Sequence, residues 1–90
     1  MQVQTHALNA QASFGSGKYT YSFSVLTCDS DMSYEVSLTG EGSRIVASGA
    51  LQRDGKSTGG NTVSDSSSYT NICISYSKSS GSGNVCFPIV

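Results

Sequence analysis

Between Lys18 and Leu26 every second residue is large and apolar: Tyr19, Tyr21, Phe23 and Val25, with Thr20, Ser22 and Ser24 between them. The same alternation returns at Met32, Tyr34, Val36 and Leu38, interleaved with Ser33, Glu35, Ser37 and Thr39. A period of two sends successive side chains to opposite faces, so each run is a strand with one dry and one wet side. Such strands hide their dry sides against each other or against a second sheet. The chain is therefore all-β, and its elements must stack in layers.

The totals narrow this further. A chain of 90 residues makes one domain, residues 1–90. A domain of this size buries only roughly 60–65% of its unfolded surface, so covalent ties help it. Charged residues are 12% of the chain, while 19 Ser, 7 Thr and 10 Gly supply an uncharged polar surface. No apolar run approaches the ~18–20 residues that span a bilayer, and membrane insertion is not expected. The net charge of −1 offers no broad positive field, which argues against nucleic acid as a partner. Met1 directly precedes a polar stretch with no apolar signal region, as expected of a mature exported domain carrying an added initiator Met.

Turn signals divide the chain into seven expected strands. The first is Gln2 to Leu8 or a little beyond, with weak alternation, followed by a turn at Ser13–Gly17. Lys18 to Thr27 and Met32 to Thr39 flank the Asx-rich turn Cys28-Asp29-Ser30-Asp31. Gly40–Ser43 is a hairpin loop, and Arg44 to Gln52 is the fourth strand. Ile45, Ala47, Gly49 and Leu51 share one parity there, and the small residues on both parities predict a bulge or a close approach by a neighbouring backbone. The Asp54-Gly55 turn pair leads to a short fifth strand at Asn61–Ser64. Tyr69 to Lys78 and Asn84 to Ile89 form the sixth and seventh, joined by a turn at Ser79–Gly83. About seven short antiparallel strands separated by turns are the pattern of a small immunoglobulin-like β-sandwich.

Three cysteines allow three pairings. Cys73 and Cys86 lie on the parities opposite their strands' apolar residues, and a turn about Ser79 and Ser80 sets them directly opposite each other. Cys28–Cys73 would bridge two sheets, and Cys28–Cys86 is the third option. Any one of them leaves a single thiol. No His or basic cluster adjoins a cysteine in sequence to make it a reactive thiolate.

Residues of catalytic type lack the patterns that catalysis needs. His6 is the only histidine and sits in a polar stretch, so a Ser-His-Asp arrangement depends on it alone. Three scattered Cys and one His lack zinc-finger spacing. Asp29, Asp31 and Glu35 offer oxygens to calcium, but Tyr34 stands where the calcium loop wants Gly. Gly15-Ser16-Gly17-Lys18 precedes a strand rather than the helix of a phosphate loop. Tyr19, Tyr21 and Phe23 read as core packing beside Val25 rather than a sugar-stacking platform, and Tyr69 is a candidate corner tyrosine. No enzyme activity, metal or cofactor is expected.

The segments Tyr19–Val25, Tyr34–Ser43, Ala47–Leu51 and Asn84-Val85-Cys86 together resemble the CsgC/CsgH-type family of curli-assembly chaperones. The resemblance spans Lys18 to Phe87 and implies an immunoglobulin-like sandwich in the bacterial periplasm. It also implies a non-enzymatic function: restraint of premature amyloid assembly by curli subunits, through charge-steered contacts. Some members carry a Cys-x-Cys pair; here Cys28 is followed by Asp29 and Ser30, so no redox role is carried over. In this reading Arg44, Arg53 and Lys56, on or just after the fourth strand, form a local basic patch for an amyloidogenic curli subunit, and the protein acts as a monomer. The rival expectation is a structural or adhesive module of a cell-surface or fimbrial assembly.

Overall fold

The computed structural model describes residues 5–90 and contains seven antiparallel strands: β1 (His6–Gly15), β2 (Lys18–Thr27), β3 (Met32–Gly40), β4 (Ser43–Leu51), β5 (Lys56–Ser64), β6 (Tyr69–Lys78) and β7 (Gly81–Pro88). They form a three-stranded sheet of order β1-β2-β5 and a four-stranded sheet of order β4-β3-β6-β7. The chain is a β-sandwich, as the alternation requires. β4 pairs with β3 rather than lying beside β5, which departs from the constant-type immunoglobulin order.

The central strands supply the core. Val25, Val36, Leu38, Ile72 and Ile74 have no exposed surface, and Tyr19 and Met32 retain only 2% of theirs. The rings of Tyr19 and Tyr21 are thus core, as read from sequence. The outward positions of β3 and β6 are Ser33, Glu35, Ser37 and Thr39, and Asn71, Cys73, Ser75 and Ser77. Glu35 is the one charge among these eight, which is how the broad face stays polar with little charge.

Three strands differ from expectation by more than a residue, β7 because it begins at Gly81, inside the expected turn Ser79–Gly83, rather than at Asn84. The range Gln2–Gln4 lies outside the described residues, and β1 runs on to Gly15 instead of ending near Leu8. Its inward side chains include Ala10 and Ala12, each 4% exposed, whose small size hides the alternation. The turn there is the tight pair Ser16-Gly17, both with positive φ (55° and 75°), as a two-residue hairpin needs. β5 begins at Lys56 rather than Asn61. Its inward positions include Ser57, Gly59 and Asn61, so the strand brings little apolar bulk of its own.

That bulk comes from next door. Gly59 lies opposite Phe23, Gly49 opposite Tyr34, and Gly83 opposite Tyr76. In each pair an inner-strand ring lies over the edge-strand glycine; a Cβ at Gly49 would stand 2.7 Å from Tyr34 Oη. Such pairs give a weak strand residue a covering partner.

β4 carries the expected bulge. Val36 pairs with Ala47 and Ser37 with Ile45, leaving Val46 as the extra residue. The bulge reverses the parity read from sequence: Ile45 turns outward and is 59% exposed, while Ala47, Gly49 and Leu51 keep the inward parity. The close approach at Gly49 is made by the Tyr34 ring, not by backbone.

The β6–β7 hairpin turns about Ser79 and Ser80, since Lys78 pairs with Gly81. Cys73 and Cys86 therefore face each other and form a disulfide, with Cα atoms 4.0 Å apart. Cys73 is buried and Cys86 exposed, and the bond lies on the outward side of the sheet. A bonded pair of this kind fits an oxidising, exported setting. Cys28 keeps its thiol.

Candidate functional site

The sandwich has two unlike flanks. On one, β7 approaches β1, and backbone groups close the gap. Val90 N–H donates to Ala12 O and Phe14 N–H to Val90 O, both at 3.0 Å, while Ile89 N–H extends the β6 pairing through Thr70 O at 2.9 Å. On the other flank β4 and β5 are edge strands of different sheets with no ladder between them. Only side chains bridge it: Tyr21 Oη donates to Val46 O (3.2 Å), Tyr34 Oη to Ser57 Oγ (2.9 Å) and Arg44 Nη1 to Ser64 O (3.2 Å). The outward backbone groups of such edges are available to a further strand.

Charge follows the same division. The segment from Ser43 to Ser64, which contains β4 and β5, holds Arg44, Arg53 and Lys56 against Asp54 alone. The rest of the chain holds Lys18 and Lys78 against Asp29, Asp31, Glu35, Glu41 and Asp65. With Asp65, which pairs with Arg44, counted in, the open flank keeps a net charge of +1 (Arg44, Arg53 and Lys56 against Asp54 and Asp65).

The three basic residues do not form one patch. Arg44 stands at the start of β4 and Arg53 beyond its end, so the strand separates them by on the order of 25 Å at ~3.3 Å per residue. Arg53 and Lys56 are together, flanking the turn in which Asp54 adopts a φ of 65°. That turn carries the chain from one sheet to the other rather than closing a hairpin. The Arg53 side chain is 72% exposed and only 4.0 Å from Asp54, while its backbone N–H is held by Asp31 Oδ1 at 2.9 Å. Arg44 is instead engaged: its guanidinium meets Asp65 Oδ2 at 3.1 Å.

Asp65 organises that end of the molecule. Its carboxylate accepts from the Ser67 backbone N–H at 2.9 Å, the Tyr69 hydroxyl at 2.8 Å and Arg44. The Ser67 bond first, then Tyr69 and Arg44, lower its pKa to about 2. The hydrogen bond to Asp65, with desolvation behind it, in turn pushes the Tyr69 hydroxyl pKa up. Tyr69 bonds a carboxylate rather than upstream backbone and so departs from the corner tyrosine expected; the backbone there is held by Tyr19. Tyr19 Oη donates to Ser67 O (2.8 Å) and accepts from Tyr69 N–H (3.0 Å).

The opposite end, with Arg53 and Lys56, carries an open groove of about 840 Å³ lined in part by Asp31, Leu51, Arg53, Ser77 and Lys78. Lys78 was not singled out from sequence as a site residue, although it continues the inward series Ile72, Ile74, Tyr76 and its parity marks it. Among the described residues no group of three or more His, Cys, Asp or Glu is placed to hold a metal ion. Comparison with known family models, curated proteins and solved structures finds no match to this chain.

Proposed function

We propose that this protein is a non-enzymatic, periplasmic binding domain that delays amyloid nucleation. It pairs transiently with an extended, β-prone chain of the curli-subunit type. The observation that carries this reading is the asymmetry of the flanks. One side offers two edge strands in a setting of net positive charge, and the other is bridged by the protein's own backbone. An added strand gains main-chain hydrogen bonds from such an edge, and complementary charge raises its encounter rate. Arg53 and Lys56 are the steering pair, and Arg44, held by Asp65, contributes less. The Cys73–Cys86 disulfide supports an oxidising compartment such as the periplasm.

Thioflavin kinetics of a curli subunit with substoichiometric protein test this directly. A longer lag is expected, shortened again by salt, which screens exposed charges. Arg53→Glu with Lys56→Glu should return the lag toward that of the client alone, and Arg44→Glu should do so less. An unchanged lag with the parent protein removes the reading.

A further inference from the structure

Lys78 ends β6 pointing inward, and its side chain is only 3% exposed. Its ammonium donates to Asp29 Oδ1 at 2.8 Å and meets His6 Nδ1 at 3.1 Å. An ammonium has donors and no acceptor, so Nδ1 must offer its lone pair and the imidazole must be neutral, with its proton on Nε2. The ring is also held against Tyr76, with centroids 4.7 Å apart. Next to His6, Thr5 O accepts from Cys28 N–H at 2.9 Å, joining the start of β1 to the β2–β3 connection. The His6–Lys78 contact therefore ties the first residues of one sheet to the last residue of β6 in the other.

We propose that this contact is a pH-operated latch on the start of β1: neutral His6 holds it shut and protonated His6 releases it. A protonated Nδ1 has no lone pair for Lys78 and sets a second cation beside a buried ammonium. Among the described residues, the titratable and charged groups around the pair are Asp29 from the β2–β3 connection, Tyr76 from β6, and Asp31 and Arg53 along the adjoining groove, and Thr5 Oγ1 also lies 3.4 Å from His6 Nδ1. Asp29 is committed to Lys78, whose hydrogen bond chiefly keeps that carboxylate ionised in acid. Of these side-chain types, imidazole is the one that ordinarily changes charge between pH 5 and 7.5. The contact uses the Nδ1 lone pair, so a proton and Lys78 compete for the same nitrogen and acid works against the latch.

Amide hydrogen exchange on the intact protein at pH 7.5 and 5.0, corrected for intrinsic rates, reads the latch. Protection at Cys28 and along the first residues of β1 should fall about fivefold more than at Ile72–Ile74, the size of one lost hydrogen bond. His6→Gln, which keeps an acceptor that does not titrate, should lose that pH dependence. Nitrogen NMR of the parent protein at pH 7.5 should find the His6 proton on Nε2. Equal changes at both places, an equally pH-sensitive Gln variant, or a proton on Nδ1 overturns the proposal.

Discussion

The two ends of this sandwich solve the same problem with opposite charges. Each must tie loops of one sheet to strands of the other where the apolar core runs out. At the end formed by residues 40–43 and 65–68, the hub is a carboxylate: Asp65 gathers a backbone N–H, a tyrosine hydroxyl and a guanidinium. At the end formed by residues 28–31 and 79–80, the hub is a cation: Lys78 gathers Asp29 and His6. A carboxylate hub surrounded by donors resists acid. A cation hub that leans on an imidazole lone pair is, in the latch proposed above, the acid-sensitive one. The difference teaches that one fold can close its two ends with hubs of opposite charge, and so with opposite expected responses to acid.

The comparison is sharpest where a hub loses its counter-charge. Asp29→Ala leaves the Lys78 ammonium almost wholly out of water with only His6 as partner, so it should have the largest effect, a fall in Tm on the order of 10 °C by thermal unfolding. Tyr19→Phe should come next. It removes one hydroxyl that both donates to Ser67 O and accepts from Tyr69 N–H, for a loss of about 1–3 kcal/mol in denaturant titration. Asp65→Asn should matter least at the lower end of the pH range. The folded-state pKa of Asp65 is depressed, so its contribution is fully present above the ordinary carboxylate value of ~3.9 and fades as pH falls through about 2. Stability measured from pH 5 to 2 should therefore decline more steeply in the parent than in Asp65→Asn. Parallel slopes would mean that the carboxylate hub does not contribute to folding.

Much of the fold was legible because the central strands carry their own apolar side chains. β2 and β6 match their expected ranges, and β3 differs by one residue, since Tyr21, Val25, Val36, Ile72 and Ile74 alternate cleanly. The edge strands were harder. β1 packs through alanines, and β5 relies on Phe23 covering Gly59, so neither shows its inward face in its own sequence. The Cys73–Cys86 pair was one of three open in the sequence, and the turn about Ser79 and Ser80 that it required is the one observed. The basic cluster did not hold as drawn. The separation was legible: at ~3.3 Å per residue the expected strand already sets Arg44 at one end and Arg53 beyond the other, as β4 does. The bulge at Val46 also shifted parity midway, which no local count reveals.

Because the disulfide lies on the watery side of its sheet, sulfur is not part of the hydrophobic packing. Serines at both positions would blend with the neighbouring Ser37 and Ser75, leaving Ile72, Ile74 and Leu38 seated as they are. The covalent clamp and the greasy interior are thus separable parts. With its cysteines reduced, the chain would hold the last strand by its ladder alone, at a cost of about 2–5 kcal/mol in a domain this small.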